Sequence, residues 1–200
     1  MNTRPACISA VGAVTALAIA VFLYVAVHAL FYASDSGVSA PTSTMIAVVS
    51  TSSKPVHLQI PSLHIDANVQ HVGINAAGNM QTPDNYTDVG WYKYGTVPGY
   101  SGSAVIDGHV DNGLALAGVF KHLGDIELGD DVYIITQGGS KLHFVVTGIE
   151  LYPYSDAPTD LIFGQNYAPR LNLITCAGTW VAGKKTYSER LVVFTQLSTS

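Results

Sequence analysis

Leu171-Asn172-Leu173-Ile174-Thr175-Cys176-Ala177-Gly178 is a short apolar, β-branched run that ends on a thiol and a small-residue turn. Runs of this length and composition, bounded by glycine, form buried strands. A second such run, residues 191–197, follows with Arg190 directly in front of it. Upstream, residues 104–107 run into Gly108-His109, and residues 56–60 alternate apolar and polar side chains. Residues 131–136 and 141–149 flank Gly138-Gly139, a hairpin turn signal between two β-rich segments. The one helical pattern is a short one around residues 113–122, with Leu116, Phe120 and Leu123 at i, i+4, i+7 spacing. Many short strands, Gly/Pro turns and little helix make the chain mainly β, a closed barrel or a sandwich.

Composition narrows the classes of function. Of 200 residues, 48% are hydrophobic and only 12% charged, and the net charge is −5. No basic field exists to hold nucleic acid. Arg4 is the one charged side chain before residue 33, and residues 6–32 are mostly apolar and carry no formal charge. Roughly 20 apolar residues cross a bilayer, and a cleaved signal has an apolar core of only about 7–15. Residues 1–33 are therefore expected to be a cytoplasmic stub and a transmembrane signal-anchor. Arg4 puts the N-terminus inside and the remainder outside the cell membrane. Residues 34–54, rich in Ser and Thr, are expected to form a flexible linker reaching about 25 Å. Residues 55–200 form the catalytic-sized domain.

The two cysteines, Cys7 and Cys176, fall on opposite sides of that membrane and cannot pair within one chain. No Cys-x-x-Cys pair offers a zinc or redox site, so no metal is expected. Cys176 is then a lone thiol in an oxidising compartment, either inert and buried or a nucleophile. With an ordinary pKa near 8.5, about a few per cent of it is thiolate at neutral pH, so chemistry requires a neighbouring base or cation. Seven histidines are present. Only His109 combines a strand end, a preceding glycine and flanking acids that bias its ionisation. His57, His64 and His71 are evenly spaced but match no zinc pattern, and His122 and His143 lie inside element patterns. Arg190 is either a strand-edge charge or a two-donor fork aimed at an oxyanion, with Lys184 and Lys185 as the competing cations.

Ile60-Pro61-Ser62-Leu63-His64-Ile65-Asp66-Ala67, Val89-Gly90-Trp91-Tyr92, Pro98-Gly99, Ala104-Val105-Ile106-Asp107-Gly108-His109, Val119-Phe120, Leu171–Gly178 and Arg190-Leu191-Val192-Val193 occur in this order. The series resembles the sortases, membrane-anchored cysteine transpeptidases of bacterial surfaces. The Gly-Trp-Tyr and Gly-His-Val-Asp segments resemble class E and F sortases most. The Asp-Pro-aromatic lid motif of pilin-polymerising sortases is absent from the sequence.

The resemblance implies an eight-stranded closed β-barrel with short helices, in which His109, Cys176 and Arg190 are catalytic. It implies cleavage of an LPXTG-like sorting motif on secreted proteins between Thr and Gly, through a thioester on Cys176. The acyl group then passes to an amine from a cell-envelope precursor or another protein. Thr175 and the backbone N–H of Ala177 are expected to bind substrate, and no cofactor is implied. A related cysteine hydrolase and a non-catalytic surface-binding barrel are the alternatives.

Overall fold

The structure, a computed structural model, describes residues 21, 23–24, 53–76, 78–111, 116–164 and 167–199. The chain divides into two compact units, residues 1–48 and 49–200. Apart from residues 21 and 23–24, the expected membrane anchor lies outside the described residues, as do Cys7 and nearly all of the linker. Among those described, no helix is long and apolar enough to cross a membrane.

The second unit is a closed barrel of eight strands. They are β1 (Pro55–Ile60), β2 (Ile65–Val72), β3 (Val89–Tyr92), β4 (Gly102–Gly108), β5 (Asp131–Thr136), β6 (Lys141–Pro153), β7 (Pro169–Val181) and β8 (Thr186–Leu197). Their order around the barrel is β1-β2-β3-β4-β7-β8-β6-β5, with β2–β3 and β4–β7 parallel and the other pairs antiparallel. The closed sheet settles the choice between barrel and sandwich. Closure removes the unpaired edges that an open sheet would present to other chains.

Alternation along the strands sorts side chains between the barrel interior and its outer wall. Leu58, Ile60, Ile106, Leu171, Leu173 and Val193 belong to the interior core, together with Trp91 and Phe144. Outside, Val105 and Val192 pack with Ile162 of a short helix α1 (Thr159–Phe163). The strand β4 is thereby covered on both faces, which explains its continuous apolar run. Asn172 fixes the cover: its Nδ2 donates to the carbonyl of Ile162 at 2.6 Å from a fully buried position.

Three expectations need correction. The helix expected around residues 113–122 is not formed over Leu116–His122. Ala117 instead makes a β-bridge with Asp111, turns follow, and a single 3₁₀ turn spans Leu123–Asp125. The competing bonds are specific: Gly118 N–H donates to the Val110 carbonyl at 3.0 Å and Phe120 N–H to the His109 carbonyl at 2.9 Å. Phe120 and Leu123 are buried, so their spacing reflects plugging of the barrel rather than a helix face. Cys176 does not end its strand, because β7 continues to Val181 through an irregularity between Ala177 and Trp180. Gly178 makes that bulge possible, with φ +78° and no room for a Cβ beside Ser188 and Glu189. Arg190 likewise lies inside β8 rather than at its start, because β8 begins at Thr186.

Candidate active site

The parallel strands β4 and β7 set the floor of the site. Asp107 is in register with Ile174, and Cys176 lies two residues further along β7. Across the antiparallel seam, Cys176 is the direct partner of Arg190 on β8. Side chains two apart on a strand, and directly opposite on neighbouring strands, share a face. Asp107, Cys176 and Arg190 therefore rise from the same outer face of the barrel.

His109 arrives just beyond β4 on an arm that other elements hold tightly. Phe120 packs over Gly108 so closely that a Cβ there would enter its ring, and Gly118 lies against the carbonyl of His109. The Nε2 of His109 is 3.0 Å from the carbonyl oxygen of Pro83. A carbonyl can only accept, so Nε2 carries the proton and Nδ1 is the basic nitrogen of the neutral ring. Tyr86 lies against the imidazole, with ring centroids 4.8 Å apart.

His109 and Cys176 line one open cavity of about 490 Å³, with Asp107, Asp111, Trp180 and Tyr187 among its other walls. Arg190 is not on that lining. Its Nη1 donates to the carbonyls of Tyr187 at 3.2 Å and Glu189 at 2.8 Å, and its Nη2 to the hydroxyl of Thr186 at 2.9 Å. Of the two alternative cations, Lys185 lines the cavity, whereas Lys184 places its ammonium 5.1 Å from the Tyr154 ring centroid.

The electrostatics of the thiol are mixed. Burial pushes the Cys176 thiol up from its ordinary value; the Arg190 charge pulls it down, and Asp107 and Asp111 push it further up. Asp107 is itself pushed up to about 6, chiefly by burial, against the opposing charges of His109 and Arg190 and the Gly108 N–H.

Thr175 points the other way from Cys176, as alternation requires. It is almost wholly buried, and its hydroxyl donates to the carbonyl of Gly108 at 2.8 Å, tying β7 to the residue before His109. Thr175 and Ala177 line a second, smaller cavity that also reaches Cys176. The other described histidines stand elsewhere. His57 pairs with Asp66, His71 with the Pro55 carbonyl, His122 with Asp125 and His143 with Asp131, while His64 takes a left-handed turn after β1. Among the described residues, no group of three or more His, Cys, Asp or Glu could hold a metal ion.

Asp107 is legible in the sequence only as one of the acids flanking His109; Tyr86 and Tyr187 carry no signal there, and only the closed fold brings them to the cavity of Cys176.

The Sortase domain family model matches residues 58–198. No curated protein matches the chain. Among solved structures, sortase A from Corynebacterium diphtheriae is 26% identical with a TM-score of 0.56, over 74% of this chain and 62% of that one. Sortase C-1 from Actinomyces oris is 24% identical with a TM-score of 0.57, over 74% and 76% of the two chains. Sortase C1 of GBS Pilus Island 1 is 22% identical with a TM-score of 0.55, over 72% and 65%. This chain thus spans about three fifths of the length of the diphtheria sortase A. With a family match covering almost the whole barrel, and with a thiol and an imidazole meeting in one cavity on it, the chain belongs to the sortase family.

Proposed function

We propose that Cys176 is the nucleophile, His109 the general acid and base, and Arg190 the fixed positive charge of a transpeptidase acting on an LPXTG-like sorting motif. The observation that carries this reading is the convergence of His109, from beyond β4, and Cys176, from β7, on one cavity. The sulfur attacks the Thr carbonyl, and its proton passes to the basic Nδ1 of His109. The C–N bond to Gly then breaks as His109 returns that proton to the leaving amine, and a thioester remains on Cys176. An incoming amine gives its proton to His109, forms the new amide and releases the sulfur. Arg190 opposes the burial that keeps the thiol neutral, and so favours the thiolate as the bond forms. The backbone N–H of Ala177 and the smaller cavity beside Thr175 serve the substrate. The Gly90-Trp91-Tyr92 and Gly108–Asp111 segments support a place near classes E and F.

The substrates in this reading are secreted proteins bearing the motif, and the acceptor is an amine of the cell envelope or of another protein. The uncharged run of residues 6–32 anchors the chain in the cell membrane, N-terminus inside, with the barrel outside. External protease on intact cells should then release the barrel by cutting within residues 34–54; protection of that segment would reverse the orientation. The enzymatic test is product analysis on the full chain, with a sorting-motif peptide and with or without an added amine. Amine-dependent ligation that Cys176→Ala abolishes supports the reading. Exclusive hydrolysis in saturating amine would make the chain a cysteine hydrolase instead.

A further inference from the structure

Two cavities meet at Cys176. The larger, about 490 Å³, carries His109 on its wall; the smaller, about 220 Å³, lies beside Phe120, Thr175 and Gly178. The residues common to both are Val110, Asp111, Cys176 and Tyr187. Two of these four are bonded to each other. The phenol of Tyr187 donates to Oδ2 of Asp111, across the gap between the His109 arm and the start of β8. Both ends of this bar are held: Arg190 donates to the Tyr187 carbonyl at 3.2 Å, Trp180 packs edge-on against the Tyr187 ring, and Asp111 is bridged to Ala117. The phenol proton is correspondingly hard to remove, its pKa pushed up to about 12 with the carboxylate hydrogen bond as the first cause.

We propose that the Tyr187–Asp111 hydrogen bond is a partition at the nucleophile, and that Tyr187 is a positioning residue which sets the preference for amine over water as acyl acceptor. This rests on the reading of Cys176 as the acyl carrier. In the second half-reaction an amine nitrogen attacks the thioester carbonyl, the C–N bond forms, the C–S bond breaks, and the amine proton passes to His109. Water attacking the same carbon gives a carboxylic acid and the same free thiol. His109 lines the larger cavity and not the smaller one, so the acceptor is deprotonated from the larger side. The bar keeps water of the smaller cavity from joining that side. Without it, the two cavities become one open approach to the thioester.

The test uses the full chain with a sorting-motif peptide and triglycine as the amine. Tyr187→Phe keeps the ring and loses the bond; Asp111→Ala loses the acceptor; Asp111→Asn loses the charge but keeps an oxygen that accepts. The ratio of hydrolysed to ligated product should rise roughly fivefold, the order one hydrogen bond is worth, in Tyr187→Phe and Asp111→Ala. In Asp111→Asn the ratio should stay within about twofold of the parent, since the acceptor oxygen is retained. A second readout needs no substrate: the rate of Cys176 labelling by a bulky maleimide relative to iodoacetamide, mapped by mass spectrometry apart from Cys7. That ratio should rise in Tyr187→Phe and not in Asp111→Asn. Unchanged product and labelling ratios in Tyr187→Phe, with a parent that ligates, overturn the partition alone. Equal shifts in Asp111→Asn and Asp111→Ala also overturn it, by assigning the effect to charge. A parent that forms no thioester at Cys176 overturns the sortase reading instead, and the labelling ratio still decides the partition.

Discussion

His143 and His109 sit in regions that invite opposite conclusions. His143, on β6, has what a catalytic imidazole is often given: its Nε2 is 2.7 Å from Oδ1 of Asp131, and it stacks on Tyr133 with centroids 4.9 Å apart. Tyr133 in turn donates to Asp131 at 3.2 Å and lies 4.0 Å from the ammonium of Lys141. The His143 bond is the first cause holding the Asp131 carboxyl below its ordinary range. Yet this cluster lies on the outer wall of the β5–β6 hairpin, and none of the cavities at Cys176 includes it. Among the described residues the Nε2 of His109 meets a backbone carbonyl, not a carboxylate, but the ring shares a cavity with a thiol. A carboxylate behind an imidazole orients it; a nucleophile within reach gives it work. The difference teaches that cavity and nucleophile, rather than a histidine–aspartate pair, mark the site.

The sharpest way to break the comparison is to remove each ring. His109→Ala should cost about 10²–10⁴ in turnover, the usual contribution of a general acid–base group. His143→Ala should leave turnover within about twofold, as surface substitutions away from a site do. Steady-state ligation rates check both, and equal damage from the two would erase the distinction.

A smaller effect is expected at Arg190. Lysine keeps a charge but cannot reproduce the planar fork now shared among Tyr187, Glu189 and Thr186. Arg190→Lys should lower turnover by about 10², the order seen when one oxyanion donor is lost, while Cys176 still labels with iodoacetamide. If Lys185→Ala cripples the enzyme and Arg190→Lys is mild, the cation on the cavity wall is the working one.

The smallest effect sharpens the electrostatics. Asp107 raises the Cys176 thiol, so Asp107→Asn should speed iodoacetamide labelling at pH 7.5. Stability gives the sign independently. The folded carboxyl, at about 6, binds its proton more tightly than an unfolded one near 3.9, so the parent loses stability as pH rises between those values. Asn removes that loss. The variant's unfolding free energy from urea denaturation should exceed the parent's at pH 8, by at most about 3 kcal/mol, and not at pH 4. An equal gain at both pH values would detach Asp107 from the site.

Much of the barrel was legible because its strands advertise themselves through β-branched runs and turns. The strand of residues 131–136 was read with its observed limits, and the Gly138-Gly139 turn has Gly139 at φ +82° as the hairpin needs. Strands β2 and β3 were not read as strands. One is interrupted by polar residues and the other is four residues long, and each is held between two neighbouring strands rather than marked by its own pattern. The expected helix failed because local spacing cannot see that the His109 arm competes for the same backbone donors. His109 and Cys176 were legible as residues of reactive type beside β-branched runs, although Cys176 lies inside β7 and not at its end. The engagement of the Arg190 guanidinium, the inward turn of Thr175 and the Tyr187 bar were not, since each depends on a partner distant in sequence.

The account stands or falls on where the acyl group goes. The full chain is mixed with a sorting-motif peptide in the absence of amine, quenched in acid, and its peptides mapped by mass. The expected result is an acyl adduct ending at the motif's Thr, attached to Cys176, discharged on adding triglycine and absent from Cys176→Ala. An adduct on another residue, or ligation that persists in Cys176→Ala, would contradict it.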